Sequence, residues 1–343
     1  MTPPVRTALV GFGYAGRTFH APLIAACPAL RLEAVVSRQT EAVAAAWPDA
    51  RVLTAFDAAL ADPAIDLIVL ATPNDLHAAQ AEAALKAGKA VVVDKPFTLT
   101  AAEARRLAAL AETRGLVLSV FHNRRWDADF LTLQALLAEG QLGPVVRFES
   151  SFNRWRPEVR DRWREGDGPG AGIWYDLGPH LIDQALCLFG RPLGVNCDLA
   201  VMRPGGRAPD YAHAVLRYAD KRVILHADMG TPAADSRFAV HGARASWLKT
   251  GLDLQEDQLK AGLTPGAMGW GVDPRPGVVI DGATGAGEAL AGPPGDYPAY
   301  YSAVARAIRD GAPNPVPPSE AVAVMEVLEA GLLSHAHRAE FLL

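Results

Sequence analysis

Lys95, Asp176 and His180 are the residues whose types and settings suit proton and charge handling. Lys95 sits in Asp94-Lys95-Pro96, directly after the apolar run Ala90 to Val93. A lysine closing a buried strand either opens its ammonium into a cleft, where it polarises an oxygen, or snorkels past the sheet edge. Asp176 and His180 lie four residues apart in Trp174-Tyr175-Asp176-Leu177-Gly178-Pro179-His180-Leu181-Ile182-Asp183-Gln184. On a helix they share one face, where an imidazole can move a proton while the carboxylate orients a hydroxyl or stabilises the imidazolium. Gly178-Pro179 is expected to make the early part of that helix irregular, and the same spacing also suits a plain amphipathic helix with solvated polar residues. No third ligand with convincing metal spacing accompanies them, so no metal is expected.

A second group of residues is built for phosphate. Gly11-Phe12-Gly13-Tyr14-Ala15-Gly16 is a GxGxxG directly after an apolar strand and at the opening of a helix. The first glycine permits a tight turn, the second lets backbone approach a pyrophosphate, and the third allows close packing of helix on strand. The helix N-terminus adds amides aimed at the phosphates. At the end of the second strand the chain reads Val35-Val36-Ser37-Arg38, with no carboxylate placed to accept from a ribose 2'-hydroxyl. Ser37 can donate to a 2'-phosphate and Arg38 can pair with its charge, so NADP is expected as the cofactor in preference to NAD. The ends of the next two strands, Thr72-Pro73-Asn74 with His77 and Asp94-Lys95-Pro96, belong where ligands of open parallel sheets bind. Asn74 and His77 can hydrogen-bond ribose or carboxamide there, or serve as a cap and a packed side chain.

The elements that must position these residues follow from periodicity. Strands are read at Thr7 to Val10, Leu32 to Val36, Ile65 to Leu70, Ala90 to Val93 and Leu116 to Val120, with a weaker one near Val52. Alanine- and leucine-rich helices fill the gaps. Thr100-Ala101-Ala102-Glu103 forms a capping box, and Asp75 is read as the cap of a helix from Leu76 to Ala87. The texture changes after Phe121, which divides the chain into a dinucleotide-binding domain, 1–121, and a substrate-binding and oligomerisation domain, 122–343. In the second domain a helix is expected from Asp127 to Glu139 and a strand from Val145 to Phe152. A hairpin pairs His213 to Tyr218 with Arg222 to Asp228, and strands at Phe238 to His241 and Ser246 to Lys249 flank a turn. Gly262 to Gly295, rich in glycine and proline, is expected to be a surface excursion without regular structure. The fold class is therefore α/β: a doubly wound parallel sheet, then an α/β domain with an open, mostly antiparallel sheet.

Bulk properties bound the partners. The formal net charge of -5 creates no field for nucleic acid or an anionic membrane. No apolar stretch is long enough to span a bilayer, and the N-terminus lacks the pattern of an export signal. Cys27, Cys187 and Cys197 have neither metal-ligand nor CxxC spacing, as suits a reducing compartment, and a cytoplasmic location is expected.

Taken together, the GxGxxG, Asp94-Lys95-Pro96 and Asp176 with His180 resemble the glucose-fructose oxidoreductase / inositol dehydrogenase (Gfo/Idh/MocA) family, across the whole chain. The resemblance implies a Rossmann domain followed by a C-terminal α/β domain. It implies Lys95, Asp176 and His180 as the catalytic set, although the family's Glu-Lys-Pro is here Asp94-Lys95-Pro96, with a shorter carboxylate. Val120 to Asp127, Arg162-Trp163-Arg164-Glu165 and Tyr175 to Gln184 are similar to the family's NADP-dependent scyllo-inositol dehydrogenase branch. This implies hydride transfer between nicotinamide and a secondary alcohol or ketone of a cyclic polyol or sugar. Asn123, Arg124, Asn153, Arg154 and Arg156 are the candidate substrate-binding residues, since hydroxyl-rich ligands need fixed donors and acceptors. The resemblance also implies a homodimer or homotetramer. A sugar-aldehyde or deoxysugar reductase, and a non-catalytic NADP-binding regulatory protein, are the alternatives.

Overall fold

The structure, a computed structural model, describes residues 3–233 and 236–343. The chain first lays down β1 (Val5–Val10), α1 (Ala21–Ala26), β2 (Leu30–Val36), α2 (Thr40–Ala46), β3 (Arg51–Leu53) and α3 (Phe56–Ala61). It continues with β4 (Leu67–Leu70), α4 (Asn74–Lys86), β5 (Ala90–Val93), α5 (Ala101–Arg114) and β6 (Leu118–Val120). Among the described residues these strands form a six-stranded sheet in the order β3-β2-β1-β4-β5-β6, with every pair parallel. All residues of β4 and β5 are buried. Helices cover both faces of such a sheet, which is why these strands read as unbroken apolar runs and not as alternating ones. The order reverses beside β1, so the ends of β1 and β4 flank the switch point of the sheet.

Between β1 and α1 the helix contains a π-helical turn, Gly16–His20, in which the Ala21 amide donates to the Gly16 carbonyl. Pro22 follows at the start of α1. It has no amide hydrogen to offer and its ring crowds the carbonyl four residues back; the wider turn relieves both. The helix near Asp75 starts earlier than its sequence implied: α4 begins at Asn74 after Pro73, and no side chain caps it. The capping box at the start of α5 is present. Thr100 Oγ1 accepts from the Glu103 amide at 3.2 Å, and Glu103 Oε2 accepts from the Thr100 amide at 3.1 Å.

The second sheet is built by β7 (Val145–Asn153), which follows α6 (Ala128–Ala138), and by strands on either side of α7 and its return. After α7 (Ile173–Phe189) come β8 (Gly194–Ala200), β9 (Tyr211–Arg217), β10 (Arg222–Asp228), β11 (Ser236–Gly242) and β12 (Ala245–Thr250). Next are α8 (Gln255–Lys260), β13 (Gly277–Asp281), β14 (Gly287–Leu290), α9 (Tyr297–Asp310), α10 (Pro318–His337) and β15 (Phe341–Leu342). Among the described residues this sheet has nine strands in the order β14-β13-β12-β11-β7-β10-β9-β8-β15. Only β7 and β10 pair in parallel; every other pair is antiparallel. Val223, Leu225 and Ala227 of β10 alternate inward with half-buried neighbours, and α7 packs on β7, β9 and β10.

Two expectations change here. The stretch Gly262 to Gly295 is not devoid of regular structure: β13 and β14 extend the sheet at its edge. Their turn is held by Asp281, whose carboxylate accepts from the Ala283 and Thr284 amides at 3.1 and 2.8 Å. Glycine around a four- or five-residue edge strand hid it, because exposed edges need no apolar run. The start of α7 is also regular, a single helix from Ile173 to Phe189 with Pro179 inside it. Gly178 fits there because a Cβ would lie 3.0 Å from the Trp174 ring.

The compact units are not contiguous. The first comprises Met1–Trp126, Leu254–Gly271 and Asp296–Val322; the second comprises Asp127–Asp253, Val272–Gly295 and Ala323–Leu343. The boundary read near residue 121 thus captures the first crossing only, because α8 and α9 return to the parallel-sheet unit. Among the described residues no helix is long and apolar enough to cross a membrane. Replacing Thr100 by Ala is expected to cost about 1 kcal/mol. This should be seen as a lower urea midpoint at unchanged slope.

Candidate active site

In the first unit the glycines meet their steric tests individually. Gly11 has φ +99°, and a Cβ there would lie 2.6 Å from the Ala71 carbonyl oxygen at the end of β4. A Cβ on Gly16 would lie 2.1 Å from the Gly11 carbonyl oxygen, so only glycine lets this helix start against the strand end. Gly13 is exposed, and a Cβ there would meet nothing within 4 Å, which leaves its backbone open to an approaching phosphate. Phe12 is buried, and Ala15 lies between the exposed Tyr14 and Gly16. These residues fit a dinucleotide pyrophosphate.

At the end of β2, Ser37 Oγ accepts from the Gln39 amide at 3.0 Å, which leaves its own O–H to donate. Arg38 beside it is exposed. Thr72 donates its hydroxyl to Gln80 Oε1 at 2.7 Å. Asn74 is buried in the first turn of α4, after the exposed Pro73. His77, also buried, ties two strand ends together. Its Nδ1 lies 2.8 Å from the Pro96 carbonyl and its Nε2 lies 3.0 Å from the Thr72 carbonyl. Carbonyl oxygens only accept, so both contacts are hydrogen bonds when both ring nitrogens carry hydrogen.

Lys95 is half-buried and its amide donates to Asp94 Oδ1 at 2.8 Å; the Lys95–Pro96 peptide is cis. Burial works against the Asp94 carboxylate, but the facing His20, Lys95 and His77 outweigh it and hold this group down at about 2. Asp94 is therefore a negative charge directly behind the lysine.

Asn123 and Arg124 stand in a 3-10 turn, Asn123–Trp126, and both are buried. Arg124 pairs with Glu256 of α8 at 3.2 Å. Glu256 also accepts from the Tyr14 hydroxyl at 2.6 Å and faces Lys260 at 3.2 Å. Burial, then Glu256, push the Tyr14 phenol up to about 12. Sequence reasoning missed Glu256: only the fold brings α8 back beside the glycine motif.

The second unit carries Asp176 and His180 on α7, one turn apart. Asp176 is in the first turn, where a carboxylate is favoured by the helix N-terminus. Two guanidinium groups flank it at ion-pair range, Arg154 at 3.9 Å and Arg164 at 3.6 Å. His180 is only 6% exposed and stacks with Phe152 at a centroid distance of 6.5 Å. Asn153 and Arg154 stand at the end of β7, and the Arg154 guanidinium also lies over the Phe152 ring at 4.8 Å. Arg156 follows; burial and the neighbouring Arg154, Arg162 and Arg160 lower its guanidinium to about 10, so it stays charged at neutral pH. Gln184, two turns on from Asp176, instead accepts from the buried Arg237 at 2.6 Å and belongs to the packing of the sheet. Among the described residues no three histidine, cysteine or carboxylate side chains come together as a metal-binding group.

The glycine turn at the switch point of the parallel sheet marks the first unit as a dinucleotide-binding domain. Comparison with known families agrees. Residues 5–122 match the NAD-binding Rossmann-fold model of the Gfo/Idh/MocA oxidoreductase family, and residues 134–341 match its C-terminal alpha/beta domain. The chain belongs to that family. It is 53% identical to the uncharacterized oxidoreductase YdgJ of Escherichia coli, over 99% of each chain. It is 38% identical to the scyllo-inositol 2-dehydrogenase (NADP(+)) IolW of Bacillus subtilis, over 99% of this chain and 96% of that one. A solved structure from Yersinia pestis matches with a TM-score of 0.96 at 50% identity, covering 100% of this chain and 98% of the other.

The glycines separate stability from cofactor binding. Gly16→Ala is expected to lower stability by about 1–3 kcal/mol through overpacking. Gly13→Ala should melt like the parent protein yet gain less thermal stabilisation from added NADP, read by melting with and without the dinucleotide.

Proposed function

We propose that the protein is an NADP-dependent dehydrogenase acting on a secondary alcohol of a cyclic polyol or sugar, in the manner of a scyllo-inositol dehydrogenase. The observation that carries the cofactor choice is the end of β2. Ser37 offers a hydroxyl donor, Arg38 an exposed positive charge, and no carboxylate stands in Val36-Ser37-Arg38-Gln39 to repel a 2'-phosphate. The substrate class rests on the Lys95, Asp176 and His180 set and on the 38% identity to IolW. When bound, the nicotinamide supplies hydride exchange with a carbon of the substrate.

The protein's own groups then have defined tasks. The Lys95 ammonium polarises the oxygen that changes between hydroxyl and carbonyl. His180 takes the hydroxyl proton on oxidation and returns it on reduction. Asp176 holds a neighbouring hydroxyl and favours the charged imidazole. Asn123, Arg124, Asn153, Arg154 and Arg156 are the proposed polyol contacts, with Arg124 shared with Glu256. The open face of the nine-stranded sheet, with half-buried Tyr211, His213, Val215, Ile224 and His226, is the proposed face for a homodimer or homotetramer. Light scattering on the purified chain tests this; a monomer at micromolar concentration would exclude it.

The deciding assay follows reduced-nicotinamide absorbance with NADP or NAD against scyllo-inositol, myo-inositol and a sugar panel. NADPH formation that depends on polyol is the expected result. Turnover confined to sugar aldehydes moves the assignment to a reductase, and NADP binding without turnover in either direction moves it to a regulatory protein. Arg38→Ala should raise KM for NADP about 10- to 100-fold with little change for NAD, the size of a lost charge-assisted contact. His180→Ala should lower kcat about 10²- to 10⁴-fold and flatten its pH profile.

A further inference from the structure

The buried polar cluster behind Lys95 contains two residues that the reading above leaves without a task, His20 and Tyr301. Both are 0% exposed, and Asp94 is 7% exposed. His20 Nδ1 lies 2.6 Å from the Tyr301 hydroxyl, and Nε2 faces Asp94 Oδ2 at 3.8 Å. The latter distance is longer than a hydrogen bond, so the contact is the attraction of an N–H dipole for a carboxylate. The ring is walled by Phe121, at a centroid distance of 4.5 Å. All of these residues lie in the first unit.

The tautomer follows from the partners. Tyr301 is a buried phenol whose ionisation is strongly opposed, first by burial and then by the facing Tyr300 and Asp94, so it keeps its hydrogen. Among the described residues His20 is the one side chain within hydrogen-bond range of that hydroxyl. A buried O–H left without an acceptor costs about 1–3 kcal/mol, so it donates to Nδ1. The remaining ring hydrogen is then on Nε2, aimed at the carboxylate. The opposite tautomer would turn a lone pair toward a buried anion.

We propose that His20 is a positioning residue of the lysine site: Tyr301 fixes its Nε2–H tautomer, and that N–H holds Asp94 as a carboxylate behind Lys95. Four other groups face Asp94 or its neighbours: His77 of α4, Lys95 on its own turn, and Tyr300 and Tyr301 of α9. The tyrosines are neutral, so the favourable groups are His20, Lys95 and His77. The Asp94 carboxyl stands well below its ordinary value in spite of its burial, and it keeps its charge while pH stays above about 2. Removing the His20 N–H takes away the foremost influence that opposes burial, which raises the carboxyl. Asp94 then takes up a proton as pH falls through a range where the parent keeps it ionised, and the lysine loses its negative neighbour there.

The test uses the full-length protein labelled with ¹⁵N-histidine and ¹³Cγ-aspartate. His20→Gln and Asp94→Asn identify the two signals. Long-range ¹⁵N spectra of the parent should show His20 with a hydrogen on Nε2, and Tyr301→Phe should mix the tautomers. The Asp94 carboxyl signal should titrate at least about one pH unit higher in His20→Phe than in the parent. His20→Gln, whose amide keeps an N–H donor, should recover part of that shift. In turnover, which rests on the dehydrogenase reading, the acid limb of kcat should move up in the same order while KM for NADP changes less than about twofold. A parent His20 with a bare Nε2, or an Asp94 signal that titrates alike in the parent and in a folded His20→Phe, overturns the proposal. Both spectroscopic readouts need no substrate. Failure of the dehydrogenase reading therefore shows as absent turnover with the spectra as expected, and failure of this proposal shows in the spectra themselves.

Discussion

A single methyl group does not fit between Gly16 and the carbonyl of Gly11, and much of the first unit depends on that closeness. The same constraint recurs one strand away, where Gly11 abuts the carbonyl of Ala71. Three backbones therefore meet at the reversal point of the parallel sheet with no side chains between them. This lets a helix begin directly on the strand ends and point its unpaired amides outward. The π-helical turn is a consequence at one remove. With the helix start fixed by glycine and Pro22 fixed by sequence, the extra residue must be absorbed between them, and the wider turn does so in the segment that buries His20.

What was legible in the sequence was whatever repeats with a period or breaks one. β4 and β5 are unbroken apolar runs because both faces are covered, and β9 and β10 alternate because only one is. The glycine turn and the Thr100 capping box are local chemistry, complete within six and four residues, so their partners lie inside the motifs themselves. Illegible were relations set by the return of the chain. Glu256 lies in an ordinary charged helix, and nothing near it in sequence says that it will meet Tyr14 and Arg124. Tyr301 is one of a Tyr-Tyr pair that a periodic reading assigns to packing. β13 and β14 were lost among glycines because an edge strand that buries little carries little pattern.

The same distinction separates the candidate site residues. Asp176 and His180 were placed correctly on one helix by spacing alone, even though Pro179 between them argued for irregularity. A proline near the start of a long helix removes one backbone bond, and here Trp174, more than a turn earlier, is buried against Gly178 and donates to the Leu328 carbonyl at 3.0 Å, which anchors the helix start. The arginines are less clear-cut from sequence. Arg154 and Arg164 flank Asp176, whereas Arg203, three residues into a loop, is buried between Glu165 and Asp210 at 3.0 and 2.8 Å. Composition cannot tell an arginine that shapes a loop from one that faces a ligand; the number of close carboxylates can.

Charge placement in the two units follows opposite strategies, with consequences for chemistry. In the second unit the carboxylate Asp176 is 16% exposed and flanked by two guanidinium groups at 3.9 and 3.6 Å, a charge balanced at the surface of its unit. In the first unit Asp94 is sealed among His20, Phe121 and two tyrosines, where an unbalanced charge would be expensive. A buried carboxylate of that kind is maintained only if its surroundings are built for the ionised form. The surroundings come from β1's following helix, α4, the turn after β5 and α9, four segments far apart in sequence. The short aspartate side chain keeps the Asp94 carboxylate close to the main chain, where it accepts from the Lys95 amide at 2.8 Å, with Nε2 of His20 facing it at 3.8 Å from the other side.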